Sequence, residues 1–233
     1  MSSNPNDPSI SERALWPLWL AGKFLLALVF LSLVALTITI YLNKSGYRLP
    51  LDGTSQLVTP AYMQEINRRS LEHAAHHGLS QVGARIVYTI YFKWTGVHNM
   101  ALKRNSTDLS SGFFVRAIEQ NPDTVAVAML AAQLFGIRAG NVILCLPLIL
   151  LVVMLAAVDG LAEREIRREC GGHESGTRFR IATKLSFVLL PPAIALFYLC
   201  LALDISLGTA MLPALVVTFM LFRTKTKYYK KYL

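Results

Sequence analysis

Three histidines within five residues, His73, His76 and His77, form the one local group in this sequence whose side chains could share a metal ion. On a helix, His73 and His77 stand at i and i+4 on one face, the spacing at which two imidazoles can hold one zinc. Glu65 and Glu72 are near in sequence, but no third or fourth ligand is evident, and structural zinc takes four protein ligands and catalytic zinc three. The run is therefore read as solvated helix surface, with His73 and His77 as weak metal candidates. No cofactor is expected. Histidine's titration near neutrality leaves pH sensing as the other chemistry open to the cluster.

The sequence has no Walker A loop, no H-E-x-x-H, no G-x-S-x-G and no C-x-x-C, so the usual signatures of phosphate binding, zinc proteolysis, acyl hydrolysis and redox chemistry are missing. No enzyme is expected. Arg138 is the single full charge in a long apolar run that reaches back to Val125. At mid-membrane it would cost about 2.5–3.5 kcal/mol and would mark an ion or substrate path. The favoured reading makes Val125–Phe135 an interfacial or entering helix, and Gly136-Ile137-Arg138-Ala139-Gly140 a break that leaves Arg138 at headgroup level. Pro147, Pro191, Pro192 and Pro213 fall in apolar runs and are read as kinks in packed helices. With no intramembrane carboxylate, such kinks offer a coupling ion little to bind.

The elements that must position these residues are membrane helices. Of the 233 residues, 54% are hydrophobic and 16% charged, against about 45–50% and about 25% in soluble domains. A span needs roughly 20 mostly apolar residues. Four runs qualify: Phe24–Leu42, Asn141–Val158, Leu185–Leu203 and Ile205–Phe222. The first is read as an uncleaved signal anchor, with Trp16, Trp19 and Tyr41 at its interfaces. The expected fold is all-α and polytopic, with four transmembrane helices and an exported, mainly helical segment between spans one and two. Its parts are a disordered cytoplasmic start (1–15), span one (16–42), the exported segment (43–124), an interfacial helix with span two (125–158), a charged loop (159–184), span three (185–203), span four (204–222) and a basic tail (223–233).

The net charge of +9 orients the chain. The loop and the tail are rich in Lys and Arg, whereas the turn around Asp204 has neither, so loop, tail and both termini are expected in the cytoplasm. The 43–124 segment carries nine Lys and Arg, but segments this long are exported largely regardless of charge. It has no cysteine, which fits a bacterial inner membrane and no need of disulfides. Within it, Lys44–Gln56 reads as an irregular linker, and Thr59 with Pro60 as the N-cap and first residue of a helix. Leu79, Val82, Ile86, Ile90 and Val97 follow a helical period, interrupted at Gly78 and Gly96. Ile86–Trp94 is rich enough in β-branched and aromatic residues to form a strand instead. Lys103–Gly112 reads as a loop and Phe113–Gln120 as a short helix. Their apolar faces require the outer leaflet or a partner to cover them.

The most distinctive stretch is Asp159–Lys184, which alternates acids and bases. Charges three or four apart, such as Glu163 and Arg167, suit a helix extending span two into the cytosol, ended by Gly171-Gly172. Asp159-Gly160-Leu161, Arg164, Arg167-Arg168, Gly171-Gly172, Glu174-Ser175 and Phe179 resemble the loop of an inner-membrane protein family encoded in integrating conjugative elements. The prolines of span three and the terminal Tyr229-Lys230-Lys231-Tyr232-Leu233 also match it. The resemblance implies a membrane component or adaptor of the conjugative type IV secretion machinery, alongside other membrane proteins of that machinery. Asp159, Arg164, Arg167, Arg168, Glu174 and Ser175 would then dock a cytoplasmic partner such as the coupling ATPase. Other readings are an oligomeric channel or transporter, and an entry-exclusion protein. Lys225, Lys227, Lys230 and Lys231, interleaved with tyrosines, suit anionic lipid better than DNA.

Overall fold

A computed structural model describes residues 10–51, 53–74, 77–98, 120–170, 176–185 and 195–228. It is mostly helical. Helix α1 (Ile10–Lys44) begins before the expected span, so residues 10–15 are helical. It ends in a Schellman motif: Gly46 takes a left-handed conformation (φ 67°) and donates to Asn43 O, and Tyr47 N donates to Leu42 O.

The expected linker at Lys44–Gln56 is instead a hairpin of β1 (Arg48–Leu51) and β2 (Thr54–Leu57), with Leu51 opposite Thr54. A two-residue connection containing Gly53 at φ 73° makes the reversal possible. The hairpin seats Leu49 and Leu51 against the core. Helix α2 (Pro60–Glu72) starts as expected: the Thr59 hydroxyl accepts from Tyr62 N, with Pro60 at the first helical position. It buries Tyr62, Met63 and Ile66.

α2 stops at His73, its C-cap, and α3 (His77–Tyr88) starts at His77. The two histidines therefore stand at the end of one helix and the start of the next; His76 and the His77 side chain lie outside the described residues. Among the described residues no group of three or more His, Cys, Asp or Glu could hold a metal. α3 continues as a π-helical turn over Thr89–Lys93, so Ile86–Lys93 is helical, not a strand. The loop and short helix read between 103 and 120 fall almost wholly outside the described residues.

Helix α4 (Pro122–Glu169) organises the rest. Its 48 residues form one continuous helix with Pro147 inside it, about 72 Å along its axis at 1.5 Å per residue. The break expected at Gly136–Gly140 does not occur. Those glycines instead permit contact: a Cβ on Gly136 would lie 2.5 Å from Gly83 O and 2.6 Å from Ala84 Cα, and one on Gly140 would lie 2.9 Å from Ser80 Cα. This is the close approach that small residues four apart allow between membrane helices. α4 also extends past the apolar run to Glu169, with Cys170 as C-cap, as the charge spacing suggested. Short helix α5 (Gly176–Lys184) packs on α6 (Leu207–Lys227), which runs beyond the expected end of span four. Ser206 caps α6 by accepting from Thr209 N.

Among the described residues, three helical stretches are long and apolar enough to cross a membrane: Leu25–Lys44, Pro122–Ile166 and Leu207–Lys227. Residues 186–194 of the expected third span lie outside the described residues. Its described remainder includes a π-helical turn over Ala195–Cys200.

Two side-chain clusters fix how the helices run. Asn43, near the end of α1, donates to Val58 O at 2.5 Å and accepts from Thr124 at the start of α4. Leu28 and Leu31 pack in the same cluster as Val142 and Cys145 further along α4, so α1 and α4 are antiparallel. α6 begins in that cluster with Leu207 and Met211 and ends beside Gly160, so α6 and α4 are parallel. The middle of α4 turns Leu148, Leu150, Leu151 and Met154 outward; α1 exposes Leu25, Leu26 and Phe30, and α6 Leu212, Val216 and Met220.

Candidate functional site

Two polar centres interrupt this apolar frame. The first surrounds Arg138, which is 0% exposed. Its guanidinium donates to Tyr198 O at 2.7 Å and also to Leu201 O and Leu203 O. Those carbonyls close the π-helical turn and the extended chain after it, so the arginine takes the place of the missing next-turn donors. A cation there also complements the negative end of the turn's dipole. The planar fork suits this work, because five N–H donors in fixed directions can reach several carbonyls at once. The Tyr198 ring lies 5.3 Å from the guanidinium carbon. Asn141, one turn on, accepts from Ser80 at 2.6 Å and so joins the centre to α3.

α2 holds the same segment from its other side. The Tyr62 hydroxyl donates to Ala202 O at 2.9 Å, and Arg69 pairs with Asp204 at 2.8 Å. Burial, reinforced by the charge of Asp204, pushes the Tyr62 phenol up to about 12. Glu65, hydrogen-bonded by Arg68 and Arg69, is held down at about 2. Among the described residues of this arrangement no nucleophile has an adjacent base. It is a clasp that fixes the entry to α6, with Nη1 and Nη2 of Arg138 bonded to carbonyls and its buried Nε without a partner among the described residues.

The second centre is at the far ends of α4 and α6. Arg223 pairs with Asp159 at 2.6 Å and with Glu163, and Lys227 reaches Glu163 at 2.5 Å. Gly160 makes the approach possible, since a Cβ there would lie 1.9 Å from Thr226 Oγ1 and 2.6 Å from Arg223 O. Of the six expected docking residues, Asp159 therefore faces α6. Arg164 is half-buried, and Arg168 is exposed beside Glu165 at 3.2 Å. The Arg167 side chain, Glu174 and Ser175 lie outside the described residues. Leu161, Ile166 and Cys170 are exposed around Arg168.

Of the expected membrane-surface lysines, Lys227 is engaged with Glu163 and Lys225 lies 5.5 Å from the Phe222 ring; Lys230 and Lys231 are outside the described residues. Sequence reasoning missed the glycine seam and the hub at Arg223. The first had a signature, Gly-x-x-x-Gly in an apolar run. The second had none, because its partners are some sixty residues apart.

Residues 62–226, which hold the first centre and all of the second except Lys227, match the model of a family described as IncC plasmid conjugative DNA transfer protein DtrJ-like. The chain belongs to this DtrJ-like family. The match runs from Tyr62 in α2 to Thr226 in α6, so the clasp and the Arg223 pairs with α4 lie within the DtrJ-like region. Conjugative DNA transfer is common to the family description and to the resemblance carried by the 159–184 loop. Comparison with curated proteins and with solved structures gave no match.

Proposed function

We propose that this DtrJ-like protein is an inner-membrane component of a conjugative DNA-transfer apparatus, and that the end of α4 docks a cytoplasmic partner such as the coupling ATPase. One observation carries the reading. α4 passes without interruption from the buried clasp through an exposed apolar belt into a charged end. There Arg223 and Lys227 hold one side, while Leu161, Glu165, Ile166 and Arg168 remain open on the other. A rod tied at both ends presents that open side in a fixed position, which favours binding because little ordering is left to do.

The same frame supports four crossings. With α4 and α6 parallel, the chain between Glu169 and Ser206 has to return along them, and the apolar run 185–203 is long enough to do so. Both termini then share a side, which the Lys- and Arg-rich loop and tail mark as cytoplasmic. Isolation of the full-length protein from donor membranes tests the docking role. The coupling ATPase is expected to co-purify and to be lost from the Arg167→Glu, Arg168→Glu double variant. Its co-purification in equal amounts with that variant rejects docking through this end.

A further inference from the structure

The face of α3 that points away from the rest of the protein is apolar although the sequence places it in the segment read as exported. Ser80, Gly83 and Ala84 form the face against α4. Leu79, Val82, Ile86 and Ile90, all exposed, form a continuous stripe beside it, and Trp94 at the end of the π turn is 79% exposed. Gln81 and Arg85 lie on a third, polar side. An apolar stripe next to a polar edge on one helix is the pattern of an element lying at a membrane interface, and a soluble surface rarely leaves such a stripe uncovered.

The occupant follows from what the stripe adjoins. The Tyr91 hydroxyl lies 2.5 Å from Ser32 Oγ and donates to Val29 O at 3.2 Å. Both partners are on α1, within the stretch where Val29, Phe30 and Leu33 are exposed. Ser80 at the other end is bonded to Asn141, two residues before Ile143, where the exposed apolar belt of α4 begins. The stripe thus continues the two surfaces on which the membrane reading rests.

We propose that α3 and its π turn are seated in the lipid leaflet on the side of the β-hairpin, with Leu79, Val82, Ile86 and Ile90 against acyl chains and Gln81 and Arg85 toward the headgroups. The ligand of this surface is the bilayer, and the segment after α2 is membrane-embedded rather than free in the exported compartment. Arg85 and Lys93 would give it a preference for anionic headgroups.

The inference rests on the membrane reading of α1 and α4, and the test separates the two. The full-length protein with Trp16, Trp19 and Trp94 replaced by Phe receives one tryptophan, by Ile86→Trp, Leu150→Trp or Gln64→Trp. Each variant is reconstituted in phosphatidylcholine–phosphatidylglycerol vesicles carrying brominated acyl chains. Tryptophan at 86 and at 150 is expected to be quenched by the bromolipid and shielded from aqueous iodide, and tryptophan at 64 the reverse. Native Trp94, as the sole tryptophan, checks the result without altering the stripe and is expected to be bromolipid-quenched. Quenching at 150 but not at 86 or 94 overturns the proposal and leaves the membrane reading standing, whether iodide or another protein surface reaches α3. Absence of bromolipid quenching at 150 overturns both.

Discussion

At the scale of single residues, the clasp turns on the donors of Arg138. Arg138→Met keeps most of the volume and removes the donors to Tyr198, Leu201 and Leu203. Leu203 O keeps Ile205 N as a donor, whereas the Tyr198 and Leu201 carbonyls lose theirs at about 1–3 kcal/mol each, so a total loss on the order of 2 kcal/mol or more is expected in denaturation of the detergent-purified protein. Tyr62→Phe removes one bond to Ala202, worth about 1 kcal/mol. Its pH dependence is distinctive. The folded-state phenol titrates at about 12, above the ordinary tyrosine value of about 10. The fold therefore favours the protonated form. That contribution is complete below the ordinary value and is lost as pH rises through the folded one. Wild type is expected to lose more stability than Tyr62→Phe across that alkaline window, and parallel curves would disprove the assignment.

Arg138 was visible in the sequence as an oddity, but its role was not. Its acceptors are backbone carbonyls sixty or more residues away, which no local pattern encodes. The start of α2 is the opposite case. Thr59 and Pro60 act on the four or five residues that follow them, so the cap could be read directly.

At the scale of elements, glycine was read as punctuation where it is packing. Glycine is a poor helix former, yet Gly136 and Gly140 lie inside the continuous α4. In α4 that cost is offset by contact between backbones, which any side chain at these sites prevents. Gly136→Val should force α3 from α4 and destabilise by about 1–3 kcal/mol. Gly22→Val in α1, where a Cβ meets nothing within 4 Å, should change stability little. Equal effects on thermal unfolding would show that the α3–α4 seam is not close-packed. Asp52-Gly53 is a two-residue hairpin turn signature, but Pro50, ordinarily depleted in strands, and the polar Thr54-Ser55-Gln56 that follows hide the strands beside it. The π turn at Thr89–Lys93 had no sequence signature that distinguished it from an α-helix.

At the scale of the whole molecule, the apolar runs were legible because a bilayer demands length and hydropathy, which are properties of sequence. How the runs are tied together was not, because ion pairs such as Arg223 with Asp159 and Glu163 join positions far apart in the chain. Arg223→Glu sets three carboxylates together and should splay the ends of α4 and α6. Adding Glu163→Arg, which restores an opposite charge, should bring them back in part. Cross-linking between cysteines introduced at Ala156 and Thr226 reads this: it is expected to fall in the first variant and recover in the second, and unchanged cross-linking in both would show that the pairs do not hold the ends.

A donor strain deleted for this protein tests its place in conjugation most directly. Transfer frequency is expected to fall by orders of magnitude, to be restored by the wild-type chain expressed in the donor and not in the recipient, and to remain low with the Arg167→Glu, Arg168→Glu variant. Undiminished transfer from the deleted donor would contradict the role in the transfer apparatus.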